Sequence, residues 1–565
     1  MSSNLKILIV GGYGTFGGRL VELLEDESRL TLVVAGRSLR KAEDYCRSRG
    51  IVKAQLVPAV FDRTQNLSRQ LTDIKPDIVV DASGPFQAYG QDMYSLIEAC
   101  IAHGANYLDL ADGSEFVAGV TTLNEFAGKA GVFVLSGVSS FPVLTATVVR
   151  YLSVGMRKVR SIRGGIAPSP YAGVGNNVIR AIASYAGQKM TLVQAGKTIE
   201  VWPLTSSLRY TIAPPGYLPL ENKLFSLVDV PDLRVLAEIW PEAEIWMGAG
   251  PVPEILHRML NLFAWLVRLG VVKSLSPIAD LMELVIRHVR WGEHRGGMFV
   301  EVGGEDDTGG RVMKSWHLLA EGRDGPLIPS MAVECIIRRL LAGGDVKNGA
   351  RAALDDITLE DYNALFSRRT IYTGFREDQP KKPSPLHREI LGSVWDDLPT
   401  PIRDMHDVEV AAEAEGVGTV ERGWNPLGAL ACFFMRFPKA GTNIPVRVTF
   451  EASNGFENWT RDFGGQTFQS LQCAGHGISE RLLVERFGIF VFAMALVLKE
   501  GRLNLVLRRW SILGIPLPMW LCVRSESFEF VDEKGRFNFN VRISHPMTGL
   551  IVHYKGWLVR LDQIS

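Results

Sequence analysis

The chain reads as an α/β protein of several domains: an N-terminal doubly wound parallel (Rossmann) sheet, an α+β middle region and a mainly antiparallel β C-terminal region. Three observations carry this reading. An apolar run, Leu5 to Val10, passes directly into GGYGTFG, where Gly12, Gly14 and Gly17 have the G-x-G-x-x-G spacing. Up to residue 140 or so, short apolar runs alternate with helical patterns, as in a parallel sheet. Past residue 386 the pattern turns to β segments separated by turns such as Glu533-Lys534-Gly535.

The first element is the strand Leu5 to Val10, followed by the glycine turn and an amphipathic helix with Phe16, Leu20, Leu23 and Leu24 on one face. Each glycine has a physical role in a dinucleotide loop. Gly12 permits the tight turn, Gly14 lets a pyrophosphate approach the backbone, and Gly17 lets helix and strand pack closely. The helix starting near Thr15 and Phe16 offers free N–H groups and a positive dipole end to phosphates. With a strand before, a helix after and a second strand at Leu30 to Ala35, the context favours a dinucleotide site over a structural glycine turn.

The second strand ends in Ala35-Gly36-Arg37-Ser38, with Arg40 and Lys41 following and no acid at the strand end. An NAD site places a carboxylate there for the ribose 2′-hydroxyl. A guanidinium instead suits a 2′-phosphate, through two charge-assisted hydrogen bonds, and Ser38 adds a hydroxyl. The expectation is NADP(H), against the plain reading of a solvated basic helix start. Further strands are expected at Ala54 to Val60, Ile78 to Ala82, Tyr107 to Leu110 and Val132 to Leu135, with a helix at Met93 to His103. Asp62 follows the third strand and is expected near the adenine. Ser83, Gly84, Pro85 and Phe86 follow the fourth and should face the cofactor, because ligands bind outside the carboxyl ends of such strands.

Composition narrows the classes. A chain of 565 residues implies roughly two to four domains. Its 47% hydrophobic and 22% charged content is ordinary for a globular protein, and a net charge of zero argues against a general nucleic-acid binder. The first apolar run is a strand with no basic leader before it, so a cytoplasmic location is expected. Six scattered cysteines show no C-x-x-C or Cys/His spacing and indicate neither a disulfide scaffold nor a metal site.

The expected organisation is 1–140 for the dinucleotide domain and 141–375 for an α+β substrate or dimerisation domain. In the latter, a helix near 327–342 returns to the first domain. A polar, proline-rich linker follows at 376–385, then a β-rich domain over 386–565, read as barrel-like. Ile255 to Val272 is very apolar but interrupted by His257, Arg258 and Arg268, which argues against a spanning helix. Two readings stand for it: a dimer or core helix, or a surface helix touching a membrane or covering a lipid-sized tunnel. Phe487 to Leu498 suits a buried strand pair or the lining of an apolar cavity. Trp459, Phe463, Phe468, Trp510 and Trp520 point to a β core or apolar pocket.

The segments GGYGTFGGRL, VVAGRS, DIVVDASGPFQAYG, ACIAHGANYLDLADG and LSGVSSFPVLTATVV together resemble the NADP-binding domain of the saccharopine dehydrogenase-like family over about 1 to 150. The middle region resembles that family's inserted α/β domain more loosely. WTRDFGGQTFQS, GIPLPMWL and FEFVDEKGRFNFNVRISHPMTGLIVHYKGWL are similar to an uncharacterised bacterial domain (DUF4166-like) often fused behind such reductases. The resemblance implies an NADP-dependent oxidoreductase with its substrate over the nicotinamide, and a homodimer through the middle domain. Members reduce imines formed from amino acids or act on lipid-like substrates. The loops Gly84 to Phe86, Asp109 to Glu115 and Ser136 to Pro142 should border the substrate. Hydride transfer to C=N, C=O or C=C needs a positioned acceptor carbon and a proton donor. Asp109 and Asp112 are the candidate acids, and Ser139 and Ser140 the candidate hydroxyls. The structural alternatives are turn-forming aspartates and helix-capping serines. Gly173 to Asn177 is a second glycine-rich segment, read either as a substrate-side loop or as a helix start capped by Asn176 or Asn177. An alternative function is an NADP-binding module with little turnover, whose C-terminal domain binds lipid or a protein.

Overall fold

The computed structural model describes residues 4–173, 175–250, 253–288, 291–378 and 384–561. It forms two compact units: Met1–Arg209 with Leu224–Thr373, and Tyr210–Lys223 with Gly374–Ser565.

In the first unit, β1 (Leu5–Val10), β2 (Leu30–Gly36), β3 (Gln55–Val60), β4 (Ile78–Asp81), β5 (Asn106–Asp109) and β6 (Phe133–Ser136) form a parallel sheet. Their spatial order is β6-β5-β4-β1-β2-β3. Helices cover both faces, which is why β1 and β4 are mostly apolar, broken only by Lys6 near the start of β1 and Asp81 at the end of β4; Ile7, Leu8, Ile9, Val79 and Val80 are fully buried. The order reverses between β1 and β4, so the crevice beyond their carboxyl ends is the ligand position of such sheets. A seventh strand, Gly349–Ala352, pairs in parallel with β6. Its GARA sequence has no apolar run, and only the edge of β6 makes it a strand.

The helix Ile328–Leu341 packs on the helix α1 (Thr15–Leu24). Ser330 Oγ donates to the Phe16 carbonyl at 3.2 Å, and Arg338 to the Leu23 carbonyl and Asp26 at 2.8 Å each. A second, mixed sheet of seven strands is built around Met156–Ala167, which pairs in parallel with Glu244–Ala249 and antiparallel with Gly296–Asp306.

In the second unit, ten antiparallel strands close into a barrel. Around it run Phe490–Lys499, Leu483–Phe487, Gln466–Ala474, Phe456–Phe463, Gly441–Ser453, Ala411–Arg422, Gly549–Leu561, Phe537–His545, Arg524–Val531 and Arg502–Ile512, the last pairing back to the first. The short strand Ile515–Pro516 appends to the rim. The apolar stretch 487–498 forms most of one hairpin of this wall. Of the segment read as a linker, 379–383 lie outside the described residues. Arg376 to Asp378 are a correction to that reading, since they continue the strand Ile371–Asp378. The Arg376 guanidinium is buried because the Ala213 and Ile390 carbonyls accept its protons at 2.7 and 3.0 Å. Among the described residues no helix is long and apolar enough to cross a membrane.

Candidate active site

The glycine loop lies at the carboxyl end of β1. Gly11, rather than Gly12, takes the left-handed conformation, with φ 78°. A Cβ on Gly17 would stand 2.3 Å from the Gly11 carbonyl oxygen, so only glycine lets α1 approach the loop this closely. The first-turn amides of Thr15, Phe16 and Gly17 have no intrahelical acceptors, Gly14 and Thr15 are exposed, and Gly14 caps the helix with no side chain in the way. These features fit the phosphates of a dinucleotide.

At the end of β2, Arg37 is exposed and makes no ion pair among the described residues. Its charge helps hold the Asp62 carboxyl below the usual range, after the larger contributions of hydrogen bonds from the Thr64 amide and hydroxyl. Arg37 and Asp62 therefore share one corner of the crevice. Ser38 caps the following helix, its Oγ accepting from the Lys41 amide at 3.4 Å. Its own amide donates to the Tyr13 hydroxyl at 3.1 Å. Tyr13 was not singled out in the sequence, where it is merely the variable position of the glycine motif.

Beyond β4, the Ser83 amide and hydroxyl donate to the buried Asp81 carboxylate at 2.9 and 2.5 Å. The Ser83 hydroxyl also meets the Tyr89 hydroxyl at 2.9 Å. Phe86 was expected to face a cofactor. Its ring is instead buried against Tyr89 and Phe116, with centroids 5.1 and 5.0 Å away, so it anchors the loop and leaves the Ser83-Gly84-Pro85 backbone as the available surface.

The segment Gly173 to Asn177, apart from Val174 (outside the described residues), is tied to this crevice. Arg19 on α1 donates to the Ala172 and Gly173 carbonyls at 2.6 and 3.1 Å. Asn177 donates to the Ser83 and Gly84 carbonyls at 2.9 and 2.8 Å. Gly175 packs on the Thr15 side chain. Gly175, not an asparagine, is the helix N-cap, and the Asn177 side chain is used to bind the β4 loop.

Asp109, at the end of β5, is fully buried and accepts from the Ala111 amide at 3.0 Å and the Gly137 amide at 2.7 Å. Burial pushes its pKa up to about 7 against those hydrogen bonds. As a buried staple between two loops it has no surface to offer a substrate, which corrects its reading as the proton donor. Asp112 is only half-buried, and burial pushes its pKa to about 6. Gln87 donates to it at 3.2 Å, and the charge of Asp229 raises its pKa further. Tyr185 feels the charges of both Asp229 and Asp112. Beside them, Arg234 binds Ser114 at 3.1 Å and Glu115 at 3.3 Å. Ser139 is half-buried and its hydroxyl makes no hydrogen bond among the described residues; Ser140 is buried. Asp229, Tyr185 and Arg234 lie far along the chain from the glycine motif, and no local pattern marks them. Among the described residues no cluster could hold a metal ion.

Residues 7–135 match the family model described as the saccharopine dehydrogenase NADP binding domain. The chain carries that domain at its N-terminus. Residues 398–558 match a domain of unknown function, DUF4166, so the barrel belongs to a family with no assigned role. No curated protein matches the chain. Among solved structures, the apo saccharopine dehydrogenase (L-Glu forming) of Saccharomyces cerevisiae is 15% identical, with a TM-score of 0.47, covering 66% of this chain and 100% of that one. The biliverdin reductase of Synechocystis sp. PCC 6803 is 11% identical, with a TM-score of 0.30, covering 61% and 93%. The nicotinamide-binding dehydrogenase type of the N-terminal domain rests on the family model; likenesses this weak add nothing about the reaction.

Proposed function

We propose that the protein is an NADP(H)-dependent oxidoreductase that moves hydride to or from a C=N, C=O or C=C group of a small or lipid-like substrate. The observation that carries this is the meeting, at the ends of β1, β4 and β5, of a phosphate-shaped glycine loop with a half-buried carboxyl of raised pKa. The Thr15, Phe16 and Gly17 amides hold the pyrophosphate, and Arg37 with Ser38 selects the 2′-phosphate. The bound nicotinamide supplies or accepts the hydride. Asp112, protonated below about pH 6, donates the proton that accompanies reduction, with Gln87 orienting it and burial, helped by the charge of Asp229, keeping its pKa high. Asp109 holds the Gly137 to Ser140 loop in place, and Ser139 offers a hydroxyl to the substrate.

The cofactor choice is tested with Arg37→Asp. Two charge-assisted hydrogen bonds are lost, and NADPH affinity should fall at least tenfold, about 1.4 kcal/mol or more, while NADH affinity changes little. Equal losses for both cofactors, or none, would remove the assignment. We further propose a homodimer through the helix Glu254–Arg268 and the turn after it, where Ile255, Met259, Leu262 and Leu269 stand exposed along one stripe.

A further inference from the structure

The barrel encloses a cavity of about 380 Å³, within the range of small-molecule sites. Its wall is mostly aromatic and aliphatic, including Phe450, Phe463, Phe492, Met494, Leu505 and Phe539. Polar side chains interrupt it in places: His387, the paired Ser525 and Ser527, Glu529, and a cluster of Arg461, Gln472 and Glu485. Glu485 accepts from Ser470 at 2.6 Å, Gln472 at 3.0 Å and Arg461 at 3.1 Å. Arg461 also donates to Ser470 at 2.8 Å and lies over the Trp459 ring. Since a carboxylate only accepts, the Gln472 amide must point its NH₂ at Glu485. That leaves the Gln472 Oε1, on a side chain 2% exposed, lining the cavity with no partner. A buried unpaired acceptor costs free energy that a ligand donor would recover.

The two ends of the barrel differ. Strand registers put the turns at 454–455, 475–482, 500–501 and 532–536 at one end, where the helices Leu386–Leu391 and Thr400–His406 sit. That end is sealed: the Leu386 amide donates to Glu457 at 3.2 Å, and His406 meets Glu529 at 2.6 Å. The opposite end gathers the connections 423–440, 488–489, 513–523 and 546–548. It exposes Phe433, Leu513, Trp520 and Met547, each about three-quarters accessible. Leu521 and Val523, from one of these connections, also line the cavity, so the apolar rim is continuous with the interior.

We propose that the barrel holds one molecule of a neutral, single-chain amphiphile with a hydroxyl head group, taken up from a membrane surface through this apolar end. The chain fills the aromatic cavity, and the hydroxyl donates to Gln472 Oε1. A carboxylate head is disfavoured, because Arg461 is already neutralised by Glu485 and a further buried anion would be uncompensated. This proposal is independent of the reductase reading.

The test uses the full chain, incubated with phosphatidylcholine vesicles carrying either monoolein or oleic acid and then separated from them. One monoolein per chain should be retained, with oleic acid at least tenfold weaker. Gln472→Leu should weaken monoolein retention about tenfold, and Leu505→Trp, which fills the cavity, should abolish it. NADPH binding and an unchanged barrel melting transition report that each variant is folded. A surface variant, Leu513→Asp with Trp520→Asp, covers the case in which a core variant misfolds. It should slow uptake from vesicles at least fivefold while leaving affinity for monoolein delivered from detergent unchanged. Absence of retained monoolein, oleic acid held as tightly, retention by folded Leu505→Trp, or uptake unaffected by the surface variant would each overturn the proposal.

Discussion

In the parallel sheet, Asp81 and Asp109 are buried at strand ends, and the Oδ1 of each accepts two hydrogen bonds from the loops beside it. In the barrel, Arg461 and Glu485 pair across strands, and His406, on the helix Thr400–His406, meets Glu529. The first arrangement uses a carboxylate to hold a loop in shape for a ligand at the sheet's edge. The second neutralises charge inside an apolar wall and leaves the Gln472 Oε1 beside it without a partner. Loop-holding acids belong to a site built at strand ends, and paired charges to a site built in a barrel's interior. Mutations in the two regions should therefore separate chemistry from containment.

The largest effect is expected at Asp112. Asp112→Asn should lower kcat/KM for reduction about 10²- to 10⁴-fold. In the unmodified protein, reduction should slow as pH rises through about 6, because the carboxyl loses the proton it must donate, and oxidation should show the opposite slope. The variant should lose that limb. A pH profile identical in both would show that the first unit's chemistry does not run through Asp112.

Next comes Glu485→Leu. Leaving Arg461 buried without its partner should cost the barrel about 3–5 kcal/mol, and Arg461→Met in the same chain should restore most of it. Urea unfolding measures both, and NADPH binding should be untouched. A single variant as stable as the parent would mean that the pair does not carry the charge balance described here.

Asp109→Ala strands the Ala111 and Gly137 amides and should cost about 2–3 kcal/mol in the first unit, with Asp109→Asn costing less because one acceptor oxygen survives. The folded pKa of Asp109 lies above its unfolded value, so the native state binds the extra proton. This contribution favours folding at acidic pH and is lost as pH rises from about 4 towards 7. Asp109→Asn should flatten that part of the stability curve. The smallest free-energy change is expected from Leu262→Asp on the exposed stripe, which should leave folding intact and shift sedimentation from dimer to monomer. A parent chain that sediments as a monomer would remove the dimer proposal.

The glycine loop, Arg37 and the Ser83 to Phe86 loop were legible because a parallel sheet puts its site at strand ends, next to the apolar runs that announce those strands. Even there, side-chain direction was not legible: Phe86 turns into an aromatic cluster, and Asp109 into a buried staple. The Arg461, Gln472 and Glu485 cluster left no sequence signal, because inward positions of separate strands meet only when the barrel closes. Asn177, Asp229 and Tyr185 reach the first sheet's site from a distance of about a hundred residues, beyond any local pattern.

The sequence by itself determined the strand–turn–helix cofactor loop, the parallel sheet and the β character of the C-terminal region. Local spacing and apolar periodicity are enough to dictate these. Tertiary structure alone decided which acid stays reachable, which segment lies against the glycine loop, and that the barrel is hollow with one sealed and one apolar end. Those properties depend on packing and strand register between residues far apart in the chain, and no short-range pattern encodes them.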